Sequence, residues 1–291
     1  MTDGFLVVDK AGGMTSHDVV AVGRKALGTR KVGHAGTLDP MATGILVLGF
    51  GNGTRLLQYI TDGDKSYVAT IVLGASTITD DKEGEIISSV HAADVADGEI
   101  ERILKSMIGT IAQRPSSVSA VKVGGERAYD RVRAGETFEL AARNVTITQL
   151  DILAVRHLDV TTELDIEVTC SAGTFIRAIA RDLGEALKVG GHLSALRRTR
   201  VAGFTESDAV SFEDLKNVKF TPLNLADVAR TTFSVRELTL EEVKELSFGR
   251  SLSENGHTSI TAAMSPDNRL IALLKDDGER AKPISVFAAA N

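Results

Sequence analysis

Lys31-Val32-Gly33-His34-Ala35-Gly36-Thr37-Leu38-Asp39-Pro40-Met41-Ala42-Thr43-Gly44-Ile45-Leu46-Val47 sets a single carboxylate between glycines, just ahead of an apolar strand. Pro40 restricts Asp39 to extended backbone angles. Gly36 and Gly44 permit another backbone or a ligand to come close. A carboxylate placed this way is held, not free to swing. The same spacing serves a second reading, because Asp followed by Pro is a frequent helix N-cap with proline at the first helical position. On spacing alone, that structural role is the commoner one.

Working outward, Phe5 to Val8 reads as a buried strand, and Ser16 reads as the N-cap of a helix through Val19, Val20 and Leu27 that Gly28 ends. Ile45 to Leu48 is a second apolar strand. Thr54 is placed to cap a short helix through Leu56, Leu57 and Ile60, and Tyr67 to Leu73 is a third strand. Thr79 to Gly84 reads as a polar turn, Ile100 to Ile108 has helical periodicity, and Leu164 to Val168 alternates like a half-buried strand. Phe175, Ile176, Ile179, Leu183 and Leu187 form one helical stripe, with Gly190 at its C-terminal stop. After Pro222 the texture changes. A helix starts near Thr239, and short strands at Ile260 to Met264, Leu270 to Leu274 and Ile284 to Phe287 are separated by turn signals at 266–268 and 276–278. The expectation is a mixed α/β chain with a domain boundary near residue 225 and a small β-rich module from 226 to 291.

Composition narrows the function classes. The 291 residues are 43% hydrophobic, enough for a substantial core. No apolar run reaches signal-peptide or membrane-spanning length, so the expected setting is the cytoplasm. Cys170 is the single cysteine and the six histidines are scattered, which predicts no disulfide and no metal site. The net charge of −6 argues against a nucleic-acid binder if taken alone, since phosphate neutralisation supplies most non-specific affinity. The distribution weakens that argument. Basic residues gather at Arg24, Lys25, Arg30 and Lys31; at Arg114, Lys122, Arg127, Arg131 and Arg133; and at Arg177, Arg181, Lys188, Arg197, Arg198 and Arg200. Acids concentrate elsewhere, from Asp80 to Glu101 and beyond Glu206. Any one cluster is a solvated face by default; three together predict an RNA surface.

The Asp39 segment resembles the signature of the TruB family of tRNA pseudouridine synthases, a Gly-His-x-Gly-x-Leu-Asp-Pro loop followed by Ala-Thr-Gly. Asp64-Lys65-Ser66-Tyr67 is similar to that family's tyrosine motif, and Gly173-Thr174-Phe175-Ile176-Arg177 to its arginine motif. Ser119-Ala120-Val121-Lys122 with Ala128-Tyr129 resembles its RNA-binding insert, here about residues 110–140. The resemblance covers about residues 4–205, in order. It departs at Ala11, where the family commonly has proline, and at Val118, where a tyrosine usually precedes Ser-Ala. More loosely, the tail resembles an RNA-binding PUA-like domain. The resemblance implies a pseudouridine-synthase-like mixed sheet and an enzyme acting on the T-arm of tRNA at position 55. That enzyme would need no cofactor or metal and would work as a monomer without protein partners. It implies further that Asp39 is the nucleophile, that Tyr67 stacks on the target base, that Arg177 pairs with the Asp39 carboxylate, and that His34 helps hold the flipped nucleotide. Gly36, Thr37, Lys10, Arg55, Lys122 and Arg181 complete the expected substrate-binding set.

The chemistry suits these residue types. Pseudouridine formation breaks the bond from ribose C1′ to N1 of the base, turns the base and joins C1′ to C5, with no redox change. A carboxylate, with a reference pKa of about 4, is ionised at neutral pH and attacks carbon without a partner base; both C6 of the base and C1′ of the sugar stay open as its target. The uridine must leave its stack, at a cost of a few kcal/mol that aromatic stacking offsets. Two other readings compete: the catalytic subunit of a guide-RNA-dependent synthase, and a non-catalytic RNA-binding or RNA-folding protein in which Asp39 is a cap.

Overall fold

Gly4–Lys10 and Thr43–Phe50 pair antiparallel along their whole length, from Gly4 opposite Phe50 to Lys10 opposite Gly44. Their near-continuous apolar sequence is explained by burial on both faces. Leu6, Val8, Leu46 and Leu48 point into one core, packed under helix Ser16–Ala26. Phe5, Val7, Ile45 and Val47 point into another, shared with Ala226, Val228, Ala262, Met264 and Leu273. The computed structural model describes residues 2–116, 122–123, 126–127, 140–254, 256 and 258–288, with 122–123 and 126–127 described as backbone. Most of the expected insert, including the side chains of Lys122 and Tyr129, lies outside the described residues.

Among those residues the main sheet has ten strands. Its principal order is Ala209–Ser211, Gly4–Lys10, Thr43–Phe50, Gly191–Val201, Lys65–Leu73, Thr162–Cys170, Arg143–His157 and Gly109–Gln113. Two neighbouring pairs are parallel, Gly4–Lys10 with Ala209–Ser211 and Thr43–Phe50 with Gly191–Val201; the other neighbours are antiparallel, so the sheet is mixed. Thr162–Cys170 alternates as expected: Leu164, Ile166, Val168 and Cys170 face the largest core, joined there by Tyr67, Ala69, Ile71 and Leu73. Helices Asp97–Ser106 and Ile176–Ala186 cover that face with Ile100, Ile103, Ile179 and Leu183.

A second sheet of five strands follows, Ser234–Glu237, Thr261–Met264, Leu270–Asp276, Arg280–Val286 and Leu252–Ser253 in spatial order. Both expected hairpin turns close it, with Ser265 N–H donating to Arg269 O at 2.9 Å and Asp277 N–H to Arg280 O at 3.1 Å. The last strand begins at Arg280 rather than Ile284 because its first half carries exposed charges and no apolar signal. Helix Leu225–Thr232 rests against both sheets through Ala226, Val228 and Ala229.

Local capping differs from expectation in four places. Thr15, not Ser16, caps the first helix, in a reciprocal capping box with Asp18. Ser16 is instead buried and bonds both backbone groups of Leu38, accepting from its N–H at 2.8 Å and donating to its carbonyl at 3.1 Å. Thr54 caps nothing: its hydroxyl donates back to Gly51 O within a 3₁₀ turn, and the helix Leu57–Thr61 follows Leu56. Helix Ile176–Ala186 ends with Lys188 in the left-handed region at φ 61°, two residues before Gly190, which is left-handed as well at φ 77°. No helix follows Asp39, where a turn closes through Ala42 N–H to Asp39 O at 3.1 Å.

Gly44, at φ 97°, leaves no room for a side chain: a Cβ there would lie 2.2 Å from the carbonyl oxygen of Arg198. Gly44→Ala should therefore destabilise the fold by more than about 2 kcal/mol, through backbone strain and this clash together. Denaturant titration reads the change directly, and an unaltered midpoint would refute the account of Gly44.

Candidate active site

The segment carrying Asp39 is tied down from four directions. Ala35 N–H donates to Val47 O at 2.9 Å, Ser16 holds Leu38, and Gly13 N–H donates to Pro40 O at 2.9 Å. Arg198 supplies the fourth anchor. Its guanidinium, 1% exposed, donates to the carbonyls of Ile45, Gly36 and Thr37 at 2.7, 3.1 and 3.4 Å. Lys10 sits beneath the loop, fully buried, with its ammonium donating to Met14 O at 2.7 Å, Ala11 O at 2.9 Å and Pro40 O at 3.3 Å.

Above these anchors lies a cleft of about 380 Å³. The Asp39 carboxylate, 35% exposed, meets Arg177 through both oxygens, Nε to Oδ2 at 3.0 Å and Nη2 to Oδ1 at 3.4 Å. Arg177 comes from the first turn of helix Ile176–Ala186 and is itself buried. Its third nitrogen donates to Thr79 O at 2.6 Å and lies 3.4 Å from the buried carboxylate of Asp81. Asp81 is fixed in turn by the Thr79 hydroxyl at 2.6 Å and Glu83 N–H at 3.0 Å. Two carboxylates thus flank one planar guanidinium, a geometry that a lysine could not reproduce.

Tyr67 lines the cleft from strand Lys65–Leu73, its register partner across the sheet being Arg198. Burial pushes its phenol up, Arg198 pulls the other way, and burial is the larger effect. The hydroxyl is therefore held protonated, which disfavours its use as a base and leaves the ring as its main asset. Lys65 Nζ donates to Thr61 O and Gly63 O, both at 2.7 Å. Burial, assisted by nearby Arg198, lowers its pKa from 10.5 to about 8. Lys10 is likewise brought to about 8 by burial, against the upward pull of Asp39 and Glu83.

Of the residues expected from sequence to bind or catalyse, Asp39, Tyr67, Arg177, Gly36 and Thr37 line this one cleft. Four others lie elsewhere, and the side chain of Lys122 is outside the described residues. His34 stands one strand earlier, its ring edge-on to His17 at 5.8 Å, and burial lowers its pKa. Lys10 is too deep to touch a ligand. Arg55 is turned to the tail, donating to Val286 O at 2.7 Å with its guanidinium 4.6 Å from the Phe287 ring. Arg181 is one turn beyond Arg177 and pairs with Asp182 at 2.7 Å and Asp80 at 3.4 Å.

Sequence reasoning missed Asp81, Lys65, Arg143, Phe175 and Arg198 as parts of the site. Asp80 and Asp81 had the look of a solvated turn, yet they neutralise Arg181 and Arg177. Much of the third basic cluster is committed to partners within the protein, while Lys188 is exposed. Arg198 is buried, Arg197 pairs with Asp9 at 2.8 Å and Glu206 at 2.6 Å, and Arg200 is spent on Ser66 and the carbonyl of Ala202. Among the described residues no group of His, Cys, Asp and Glu is placed to hold a metal ion, and no helix is long and apolar enough to cross a membrane.

Residues 24–176 match the model of the TruB family pseudouridylate synthase N-terminal domain. The chain belongs to the TruB family. Residues 177–227 match a tRNA pseudouridylate synthase B C-terminal domain, and residues 233–288 a tRNA pseudouridine synthase II C-terminal domain. The tRNA pseudouridine synthase B of Arthrobacter sp. (strain FB24) is 52% identical over 302 residues, covering 100% of this chain and 98% of that one. Its counterpart from Thermobifida fusca is 46% identical over 294 residues, covering 100% of both. Among solved structures, a chain of a Cbf5-Nop10-Gar1 complex superposes with a TM-score of 0.73 at 24% identity, covering 98% of this chain and 84% of its own, and so shares the fold. With these relatives the TruB chain described here is an isomerase, a pseudouridine synthase.

The depressed Lys65 fixes a pH dependence. Between pH 8 and 10.5 the unfolded chain still holds the proton that the folded one has released, so stability contributed by this group rises with pH across that window. Below it, the full cost of burying the ammonium is present. Relative to Lys65→Met, the wild type should gain stability as pH is raised through the window. Denaturation curves of both proteins along a pH series test this, and parallel curves would refute it.

Proposed function

We propose that this chain isomerises the uridine at position 55 in the T-loop of tRNA to pseudouridine, with Asp39 as nucleophile on a flipped-out nucleotide. The observation that carries this reading is the Asp39 carboxylate gripped at both oxygens by Arg177 inside a cleft of about 380 Å³. That volume is near the lower end of ligand pockets, about 300–1,000 Å³, and suits one extruded nucleotide rather than a duplex. Relatives about half identical over their full length are named for tRNA.

In this reading the uridine leaves its stack and rests against the ring of Tyr67, which offsets the unstacking cost of a few kcal/mol. Asp39 attacks carbon, the C1′–N1 bond breaks, the freed base turns, C1′ joins C5, and the bond to Asp39 is released so that the free carboxylate is restored. C5 then loses its proton and N1 carries one, so the product is an isomer and no cofactor is consumed. Arg177 holds the attacking oxygens in one orientation while Asp81 anchors Arg177 from behind, a preorganised arrangement that need not rebuild itself during the reaction. The part before residue 225 supplies the chemistry, and the tail from 226 adds RNA contacts. The enzyme acts as a monomer in the cytoplasm, without a guide RNA or protein partner.

Asp39→Asn preserves shape and removes the charge. Folding and tRNA affinity should stay near wild type while tritium release from C5-labelled tRNA disappears. An active variant would overturn the nucleophile assignment. Arg177→Lys should retain a reduced rate, since charge survives and the fork is lost.

The substrate is tested separately, with purified protein and an unmodified T-arm stem-loop. Position-resolved mapping should find pseudouridine at the position equivalent to 55. Reaction of intact tRNA alone, or only in the presence of added proteins, would remove the T-arm or stand-alone part of the proposal.

A further inference from the structure

Four cations line the cleft: Lys65, Arg143, Arg177 and Arg198. Three are already committed. Arg177 is held between Asp39 and Asp81, Arg198 by three carbonyls, and Lys65 by two. Arg143 differs. It begins strand Arg143–His157, is exposed, and among the described residues has no carboxylate partner. Its guanidinium carbon lies 5.7 Å from the ring centroid of Phe175.

That ring is not a loose support. Gln113, which pairs with Arg143 across the sheet and is 1% exposed, accepts from Phe175 N–H at 2.8 Å and donates to Phe175 O at 3.1 Å. Phe175 is thereby fixed one residue before the helix that delivers Arg177. A guanidinium resting on such a ring keeps its edge free for a planar, two-point contact and loses little freedom in making one.

We propose that Arg143 binds a backbone phosphate flanking the nucleotide in the cleft and so fixes that nucleotide's depth over Asp39. The chemistry admits an anion with two adjacent oxygens, and in an RNA substrate the phosphodiester supplies one. The deeper cations already have donors bound within the protein, to carboxylates for Arg177 and to carbonyls for Arg198 and Lys65, so they are less available to such a group. This inference rests on the proposed reading of the cleft as the seat of an extruded uridine.

The test uses the full chain and T-arm stem-loops carrying one neutral methylphosphonate linkage, either 5′ or 3′ to the target uridine. Affinity is measured by equilibrium binding and chemistry by single-turnover pseudouridine formation. Arg143→Gln should weaken affinity for the unmodified RNA roughly tenfold or more, as expected for a lost charged hydrogen bond. It should reduce the slope of log affinity against log salt by about 0.7, and lower the rate at saturation as well, because the nucleotide is no longer held at one depth over Asp39. Arg143→Lys should recover part of the affinity. One of the two neutral linkages should cost the wild type a similar factor and cost Arg143→Gln nothing.

Equal losses in both proteins, or an unchanged affinity and salt slope in Arg143→Gln, would overturn the inference. A wild type that binds but forms no pseudouridine sinks the proposed function instead, and the binding arm still decides the role of Arg143.

Discussion

A guanidinium buried in the middle of a sheet, with carbonyls in place of a carboxylate, is the constraint on which the site depends. An isolated charge is costly to bury unless its donors are satisfied, and Arg198 meets that requirement by bonding Gly36, Thr37 and Ile45. The loop therefore cannot relax without stranding the charge, and the charge cannot leave because Gly44 closes over the backbone of Arg198. Lys10 applies the same logic from below, on Ala11, Met14 and Pro40. Two cations thus position one anion without neutralising it, and the pairing of Asp39 is left to Arg177 alone on the cleft side.

Much of the fold was legible in the sequence because the signals were local. Alternation in 164–168, the stripe from Phe175 to Leu187 and the hairpin turns at 266–268 and 276–278 each depend on neighbours in the chain. Caps were harder to read. Thr15 and Ser16 are chemically near-equivalent, and only the position of Leu38 explains why Ser16 faces inward.

The aspartate loop, Tyr67 and Arg177 stood out through resemblance, whereas Asp81, Arg143 and Arg198 did not. Their roles follow from pairings across the sheet or between distant loops, which composition hides. The basic runs misled for a related reason. A run of arginines along strand Gly191–Val201 alternates between faces, so adjacent members meet different acids, carbonyls or solvent.

The double-sided strand Gly4–Lys10 bears on the order in which the chain can assemble. Its free edge is completed by Ala209–Ser211 in parallel and by Leu223, whose backbone exchanges two hydrogen bonds with Phe5. These partners leave the ribosome about two hundred residues after the strand they cover, on the order of tens of seconds later at ordinary synthesis rates. Throughout that interval Phe5 and Val7, together with Ile45 and Val47 beside them, present an apolar face whose cover has not yet been made. Strand Gly4–Lys10 emerges well before the residues that enclose it, and the nascent chain passes through a stage in which this strand and its partner Thr43–Phe50 are a surface in need of protection.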